Sequence, residues 1–383
     1  MRKLQPDHKT IADFRRDNRT AFTRVFREFT ALCRELGLLG REMIAVDGTK
    51  IKAVNSRDRN FTKGKIAREL KRCDERLAKY LTELDAIDRN EKPHRLIQVD
   101  PEVMGAKIES LRARRARLID YSEVLEKSGK DQLSLTDPDA KSMTPGSSAG
   151  MGYNVQIAVD AKNSLIVEQQ AHSKVGDLGL LAETATAAKE VLDVPELDLV
   201  ADCGYYKTED IIACEKAGII PHVPKPSRSP AANKGLFPKS QFVYFPERNV
   251  YICPGGAEMK PILRTKTRDE PETGYANILA CRTCPLKRKC TSSKHRRIRR
   301  YDSENRLDQM AERIAKRPEL ARIRRSTVEH PFGSIKKWMG QDAFLMRGLE
   351  NVRGEFSLTA LAYNIRRAIN LVGLPALIGA VQA

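Results

Sequence analysis

Two short stretches decide the reading of this chain: Met43-Ile-Ala-Val-Asp47-Gly48 and Leu197-Asp-Leu-Val-Ala-Asp202-Cys-Gly204. Each is an apolar run too short for a helix that ends in a carboxylate and a glycine, the pattern of a buried strand entering a turn. Open α/β sheets place their function at the carboxyl ends of such strands, so Asp47 and Asp202 stand apart from the other acids. The pattern extends around them. Tyr153 to Val159 and Ser164 to Gln169 predict a hairpin joined by Asp160-Ala-Lys-Asn163, and Asp177 begins a helix running to about Val191. A further helix reaches about Ala217 and Ile219 to Val223 predicts another strand, giving a core of β–(insert)–ββ–α–β–α–β.

Helices are expected on either side. Phe22, Val25, Phe26, Phe29, Leu32, Cys33 and Leu36 recur at helical spacing within residues 8–37, and Gly37 ends the run. Ile66, Leu70, Cys73, Leu77, Leu81, Leu84 and Ile87 mark a charged, coiled-coil-like helix. A bend with two prolines follows at 90–101, and then a second helix from Val103 to Leu125. Basic and acidic residues are mixed on this pair, so a scaffolding or partner role is as open as DNA contact. Residues 136–152 are turn-rich. The resulting division is 1–42, N-terminal helices; 43–54, 136–224 and 301–372, the core; 55–135, a helical-hairpin insert; 225–300, a Cys-rich insert; and 373–383, a tail.

The 383 residues carry a net charge of +18, with 41% hydrophobic and 31% charged residues, enough apolar content for a core and against wholesale disorder. The opening Met-Arg-Lys-Leu-Gln-Pro has no apolar region of a secretory signal. Leu371 to Val381 is interrupted by Gly373, Pro375 and Gly379 and is too short to span a bilayer. Between Leu286 and Arg325 lie 15 Lys/Arg and 5 Asp/Glu, so this stretch supplies +10 of the total. One basic triplet reads as a solvated face. Three clusters, Lys287 to Lys289, Arg296-Arg297-Ile-Arg299-Arg300 and Arg322-Ile-Arg324-Arg325, point to a nucleic acid partner bound in a salt-sensitive way.

The cysteines form two groups. Cys33, Cys73, Cys203 and Cys214 are scattered singly, as small core residues are. Cys253, Cys281, Cys284 and Cys290 are clustered, and a C-x-x-C knuckle with two further thiolates can close a tetrahedral structural Zn²⁺ shell. The long spacer is not that of a standard finger, and unligated thiols or a redox pair remain open.

A third acid, Glu329, lies on a later helix in Thr-Val-Glu-His-Pro-Phe-Gly-Ser-Ile-Lys336. Two strand-end aspartates and a helix-borne glutamate can meet on two divalent ions about 3.5–4 Å apart and drive an in-line phosphoryl transfer. Hard oxygen ligands suit Mg²⁺ or Mn²⁺, so such a site is separate from the thiols.

The stretches Ala45-Val-Asp-Gly-Thr-Lys50, Val200-Ala-Asp-Cys-Gly-Tyr-Tyr206 and Val328-Glu-His-Pro-Phe-Gly333 resemble the insertion-sequence transposases with a DDE triad. Ile11-Ala-Asp-Phe-Arg-Arg, Phe26-Arg-Glu-Phe, Asn55-Ser-Arg-Asp-Arg-Asn-Phe, Gly152-Tyr-Asn-Val-Gln and Leu361-Ala-Tyr-Asn match as well, so the likeness runs along nearly the whole chain. The resemblance implies an α/β, ribonuclease H-like mixed sheet flanked by helices, with strand order 3-2-1-4-5. It makes Asp47, Asp202 and Glu329 the metal-binding catalytic residues. It implies hydrolysis at the ends of a mobile element and attack of the freed 3′-hydroxyl on target DNA. It further implies double-stranded DNA as partner, a homo-oligomer on DNA and a nucleoid-associated place in a bacterial cytoplasm.

Arg325 and Lys336 match the family's R-x-x-x-E-x-x-x-x-x-x-K spacing, and on a regular helix 329, 332 and 336 share a face, so Lys336 is expected near a phosphate. The tyrosine that relatives often place before the arginine is Arg322 here, and position 203, often basic, is Cys. His330 reads as a packing or DNA-contact residue, and Trp338 as core or as a base-stacking platform. Relatives carry a further N-terminal helical module for end recognition, and this chain starts at what corresponds to its tail. The alternatives to a transposase are therefore a non-catalytic DNA-binding remnant and a general nuclease of the same fold.

Overall fold

The computed structural model describes residues 6–56, 58–88, 101–143, 150–226, 229–267 and 270–382. The expected bend at 90–101 lies almost wholly outside them, as do positions 144–149 of the turn-rich stretch. Two helices come first, α1 (His8–Asp17) and α2 (Arg19–Glu35), within the stretch expected to be helical. The break falls at Asn18, whose side-chain amide donates to the Phe14 carbonyl at 2.9 Å and so competes with the helix ladder. Phe22, Phe26 and Cys33 of α2 are buried as expected, whereas Val25 faces solvent.

The central sheet starts with β1 (Met43–Lys52). After β2 (Asn60–Thr62), α3 (Lys63–Asp88), α4 (Pro101–Ser128), β3 (Gln132–Ser134) and β4 (Lys141–Ser142), it continues with β5 (Met151–Asp160) and β6 (Ile166–His172). Then come α5 (Leu181–Leu192), β7 (Leu197–Val200), α6 (Thr208–Lys216) and β8 (Ile219–His222). β1 runs antiparallel to β5 and β5 to β6, while β1, β7 and β8 are parallel. Spatially the long strands lie β6-β5-β1-β7-β8, with β4 beside the end of β5. Counted along the chain this is 3-2-1-4-5, and the mixed sheet is compatible with a ribonuclease H-like DDE domain.

Helices cover both faces, which is why β5 is buried at every residue. Strand alternation sorts the side chains of β1. Ile44 and Val46 join a core with Leu181 and Ala185 of α5 and Ile211 of α6. Ala45 and Ile51 face the other way, into a core with Phe26 of α2 and the C-terminal helices. α3 and α4 pack through Ile66, Cys73, Leu118 and Leu125, and Arg114 and Arg115 pair with Glu69 and Asp74 across them.

The region from 225 to 300, set apart in the sequence by its cysteines, folds largely as a sheet. Between the short helices α7 (Pro230–Asn233), α8 (Ile278–Arg282) and α9 (Lys287–Cys290) it builds β9 (Val243–Phe245), β10 (Val250–Ile252), β11 (Glu258–Thr267), β12 (Glu270–Ala276) and β13 (Ile298–Tyr301). These five form one sheet in the order β13-β12-β11-β10-β9. Pro261 and Pro271 disguise the long strands, and the register shifts next to Pro261. Tyr244, Tyr251 and Tyr275 cluster edge to face on this sheet.

The chain ends in α10 (Glu304–Lys316), α11 (Leu320–Gly333), α12 (Leu349–Val372) and α13 (Leu374–Gln382). The expected tail is therefore a helix, although of its side chains only Leu377 is buried. Directly after α11, residues Ser334–Trp338 wind as a π-turn, three residues beyond Pro331. No described helix is long and apolar enough to cross a membrane.

Candidate active site

Asp47 does not sit at the end of its strand, as the sequence suggested. β1 runs on to Lys52, paired with β5 throughout, but its parallel pairing with β7 covers only Met43 to Ala45. Asp47 thus lies just past the point where β7 stops. Asp202 follows the end of β7 and opens a tight turn, accepting from the Gly204 N–H at 2.8 Å through Oδ1. Burial pushes the Asp47 carboxyl up to about 6; the Gly48 N–H and Arg324 pull it down, and Asp202 and Asp177 push it further up.

Asp47 and Thr49 share the face of β1 that meets α11. There Arg324 Nη1 lies 3.1 Å from Asp47 Oδ2, each side chain about three-quarters buried. Lys336 Nζ donates to Thr49 Oγ1 at 2.5 Å, and burial holds its ammonium below the ordinary lysine value. Lys336 therefore comes to the strand bearing Asp47, although the π-turn removes the regular helix face on which the expectation rested. Arg325 and Glu329 lie on the exposed side of α11, and neither makes a hydrogen bond or ion pair among the described residues. The structure thus brings together Asp47, Asp202 and Arg324. Glu329 stands on the helix that packs against β1, turned to solvent.

Sequence reasoning missed Arg324, which was visible only as one member of a basic cluster, and misread Asp177. Asp177 does not start a helix: Gly179, at φ +82°, and Leu180 separate it from α5. Its Oδ1 accepts from Lys50 Nζ at 2.9 Å, Asn154 Nδ2 at 2.8 Å and Gln156 Nε2 at 2.9 Å. Gln156 also donates to Asn154 Oδ1 and accepts from the Tyr205 hydroxyl. This network lies against Gly48, where a Cβ would meet Asp177 Oδ1 at 2.8 Å. Only glycine leaves room for a held carboxylate beside the Asp47 backbone.

The four clustered thiols line one cavity of about 270 Å³, together with Pro254, Gly255 and Leu286. Burial raises the Cys290 thiol, with the other three thiols adding to the shift and Arg296 opposing it. Among the described residues, however, no group of three His, Cys, Asp or Glu side chains is arranged to hold a metal ion, thiols and carboxylates alike.

Strand alternation divides the basic run at β13. Arg300 is 6% exposed: it stacks on Tyr244 with 3.8 Å from guanidinium to ring centroid and pairs with Asp308 at 2.6 Å. Arg296 lies over Phe242 and donates to the Cys290 and Phe237 carbonyls. These two are spent inside the protein, which corrects their expected role as DNA contacts. Arg297 and Arg299 point outward, Arg299 at 3.5 Å from Glu272.

Residues 252–369 match the family model described as a transposase DDE domain. The matched span is less than a third of the chain; it includes Glu329, Arg325, Lys336 and all four clustered cysteines, while Asp47 and Asp202 lie before it. No curated protein and no solved structure matches the chain. The match supports a DDE transposase, and a transposase domain implies a DNA substrate.

Proposed function

We propose that this protein is a DNA transposase that hydrolyses phosphodiesters at the ends of a mobile element and joins the freed 3′-hydroxyl to target DNA. The observation that carries the reading is the meeting of Asp47 and Asp202, far apart in sequence, where β1 outruns β7 in a 3-2-1-4-5 sheet. Asp47, Asp202 and Glu329 are the residues proposed to hold two Mg²⁺ or Mn²⁺ ions. Their donor chemistry suits these ions: all are hard oxygens, Asp202 Oδ2 and the Glu329 carboxylate have no partner among the described residues, and the Asp47 charge is under-compensated. Bound ions of this kind polarise a phosphoryl oxygen and lower the pKa of an attacking water or hydroxyl.

The chain's own groups supply the rest. Arg324 holds the Asp47 carboxylate in place, and Lys336 offers a cation beside Thr49 to orient a non-bridging phosphate oxygen. Arg297, Arg299 and Arg325 present exposed guanidinium groups for backbone phosphates. The thiols of Cys253, Cys281, Cys284 and Cys290 are proposed to bind one structural Zn²⁺; four soft donors around one cavity suit that ion. In this reading the core comprises 43–54, 136–224 and 301–372, with the helical pair and the Cys-rich sheet as inserts and a homo-oligomer assembling on DNA.

A second reading, a DNA-binding protein without catalysis, draws on two observations: Arg324 already occupies Asp47, and Glu329 faces solvent. Incubation of the full chain with DNA carrying the element's ends, with and without Mg²⁺, separates the two. Metal-dependent nicking supports the transposase, and salt-sensitive binding without nicking supports the second reading.

A further inference from the structure

The three carboxylates proposed to hold divalent ions are not equally free to do so. Asp47 has both oxygens engaged: Oδ1 accepts from the Gly48 N–H at 2.8 Å and Oδ2 from Arg324 Nη1 at 3.1 Å. Asp202 keeps Oδ2 clear, and Glu329 keeps both oxygens clear among the described residues. The Gly48 contact is local to the strand and neutral. Arg324, by contrast, brings a full positive charge to the oxygen that an ion needs. A dication and a guanidinium within a few ångströms repel each other strongly in a half-buried site, so the two compete for Asp47.

Arg324 is not committed to its contact as a structural arginine is. Arg300, 6% exposed, stacks on Tyr244 and donates to Tyr251, Asn305 and Asp308. Arg324, with its side chain 23% exposed, uses one of its five N–H groups within the described chain. A second cation stands next to it. Asp47 and Thr49 alternate onto one face of β1, at positions about 7 Å apart along the strand. Arg324 reaches the first from α11, and Lys336 reaches the second from the π-turn that follows. Two cations so placed, one with unused N–H groups and access to water, suit a phosphate between them.

We infer that Arg324 is an exchangeable counter-ion of Asp47. In the free protein it closes this carboxylate to divalent ions. A DNA phosphate arriving between Arg324 and Lys336 draws the guanidinium away, and Asp47 Oδ2 is freed. Charge balances in the exchange, because the guanidinium passes from a carboxylate to a phosphate, which it can grip through two N–H groups. The inference rests on the metal reading of Asp47 and adds an order of events to it, DNA before metal.

Mn²⁺ binding to the full-length protein, followed by the electron paramagnetic resonance of the free ion, tests the exchange without any reaction. An open state populated at about 1–10% in the free protein weakens binding by roughly 10- to 100-fold. Arg324→Ala is therefore expected to bind Mn²⁺ roughly 10- to 100-fold tighter than wild type in the absence of DNA. Arg324→Gln, which removes the charge and keeps a donor, gives a gain of the same sign and serves if the Ala variant does not fold. Adding Asp47→Asn to either variant abolishes the gain. A duplex of an already cut element end tightens the Asp47-dependent binding in wild type and much less in the variants. Loss of the phosphate contact also lowers the salt slope of DNA binding by roughly 0.9 in both variants. Folded variants that bind Mn²⁺ no tighter than wild type, or whose salt slope is unchanged, overturn the exchange and leave the transposase reading standing. Absence of any Asp47-dependent Mn²⁺ binding, with or without DNA, overturns the metal reading as well.

Discussion

Replacing Asp177 by Ala tests the arrangement around Asp47 without touching a proposed metal ligand. The substitution leaves the Lys50 ammonium, about one-fifth exposed, without its carboxylate, and takes one acceptor each from the buried amides of Asn154 and Gln156. Losing a hydrogen bond between charged groups costs about 1.5–3 kcal/mol. The amides keep other acceptors, Gly176 O at 3.4 Å and Asn154 Oδ1 at 2.9 Å, so they add about 1 kcal/mol in all. The expected loss is about 2–4 kcal/mol. Lys50→Met removes one of the three donors and costs about 1–2 kcal/mol, and the double variant shows a coupling of about 1–2 kcal/mol. Urea unfolding with linear extrapolation measures all three. Since the network buttresses the backbone at Gly48, DNA nicking by Asp177→Ala at a temperature where it is folded falls by roughly 10²-fold. An Asp177→Ala protein within about 0.5 kcal/mol of wild type, with additive double-variant effects, refutes the network.

Three further outcomes follow from the same geometry. Purified protein contains about one equivalent of zinc by metal analysis, absent from a Cys281→Ser, Cys284→Ser variant and tied to a lower melting temperature on chelation; zinc-free wild type contradicts this. Arg297→Ala, at an exposed position, lowers the salt slope of DNA binding by roughly 0.9 at unchanged stability. Arg300→Ala, which removes a buried guanidinium from the face of Tyr244 and from Glu304 and Asp308, instead costs about 2–4 kcal/mol in urea unfolding and leaves the slope alone. Asp198 resists protonation: burial raises its pKa, but hydrogen bonds from Arg317 and His222 outweigh that and hold it below the ordinary value. A depressed carboxylate stabilises above the unfolded pKa near 4 and loses that contribution as pH falls through the folded value. Arg317→Ala is therefore less stable than wild type at neutral pH, and the difference narrows below about pH 4 in acid-unfolding curves.

What could be read from the residues divides along physical lines. The strands carrying Asp47 and Asp202 were legible because a buried strand must be apolar and a turn must relieve it, and the alternation of helices and strands gave the order of elements. The role of Asp177 was not legible, since an acid ahead of an apolar run is the ordinary sign of a helix start and nothing local marks Lys50 and Asn154 as its partners. The Cys-rich sheet was hidden by Pro261 and Pro271 inside its strands. Charge counting placed Arg296 and Arg300 with Arg297 and Arg299, because composition does not see which way a strand turns its side chains. The π-turn after Pro331 defeated the helical arithmetic around Lys336 and put Trp338 in solvent.

The most direct test is a strand-transfer assay with the full chain, Mg²⁺ or Mn²⁺, DNA bearing the inverted repeats that flank the gene, and a target plasmid. The account predicts metal-dependent nicking and joining by the wild type, reduced by roughly 10³-fold or more in Asp47→Asn, Asp202→Asn and Glu329→Gln while DNA binding persists. Joining that survives in any of these three variants contradicts it.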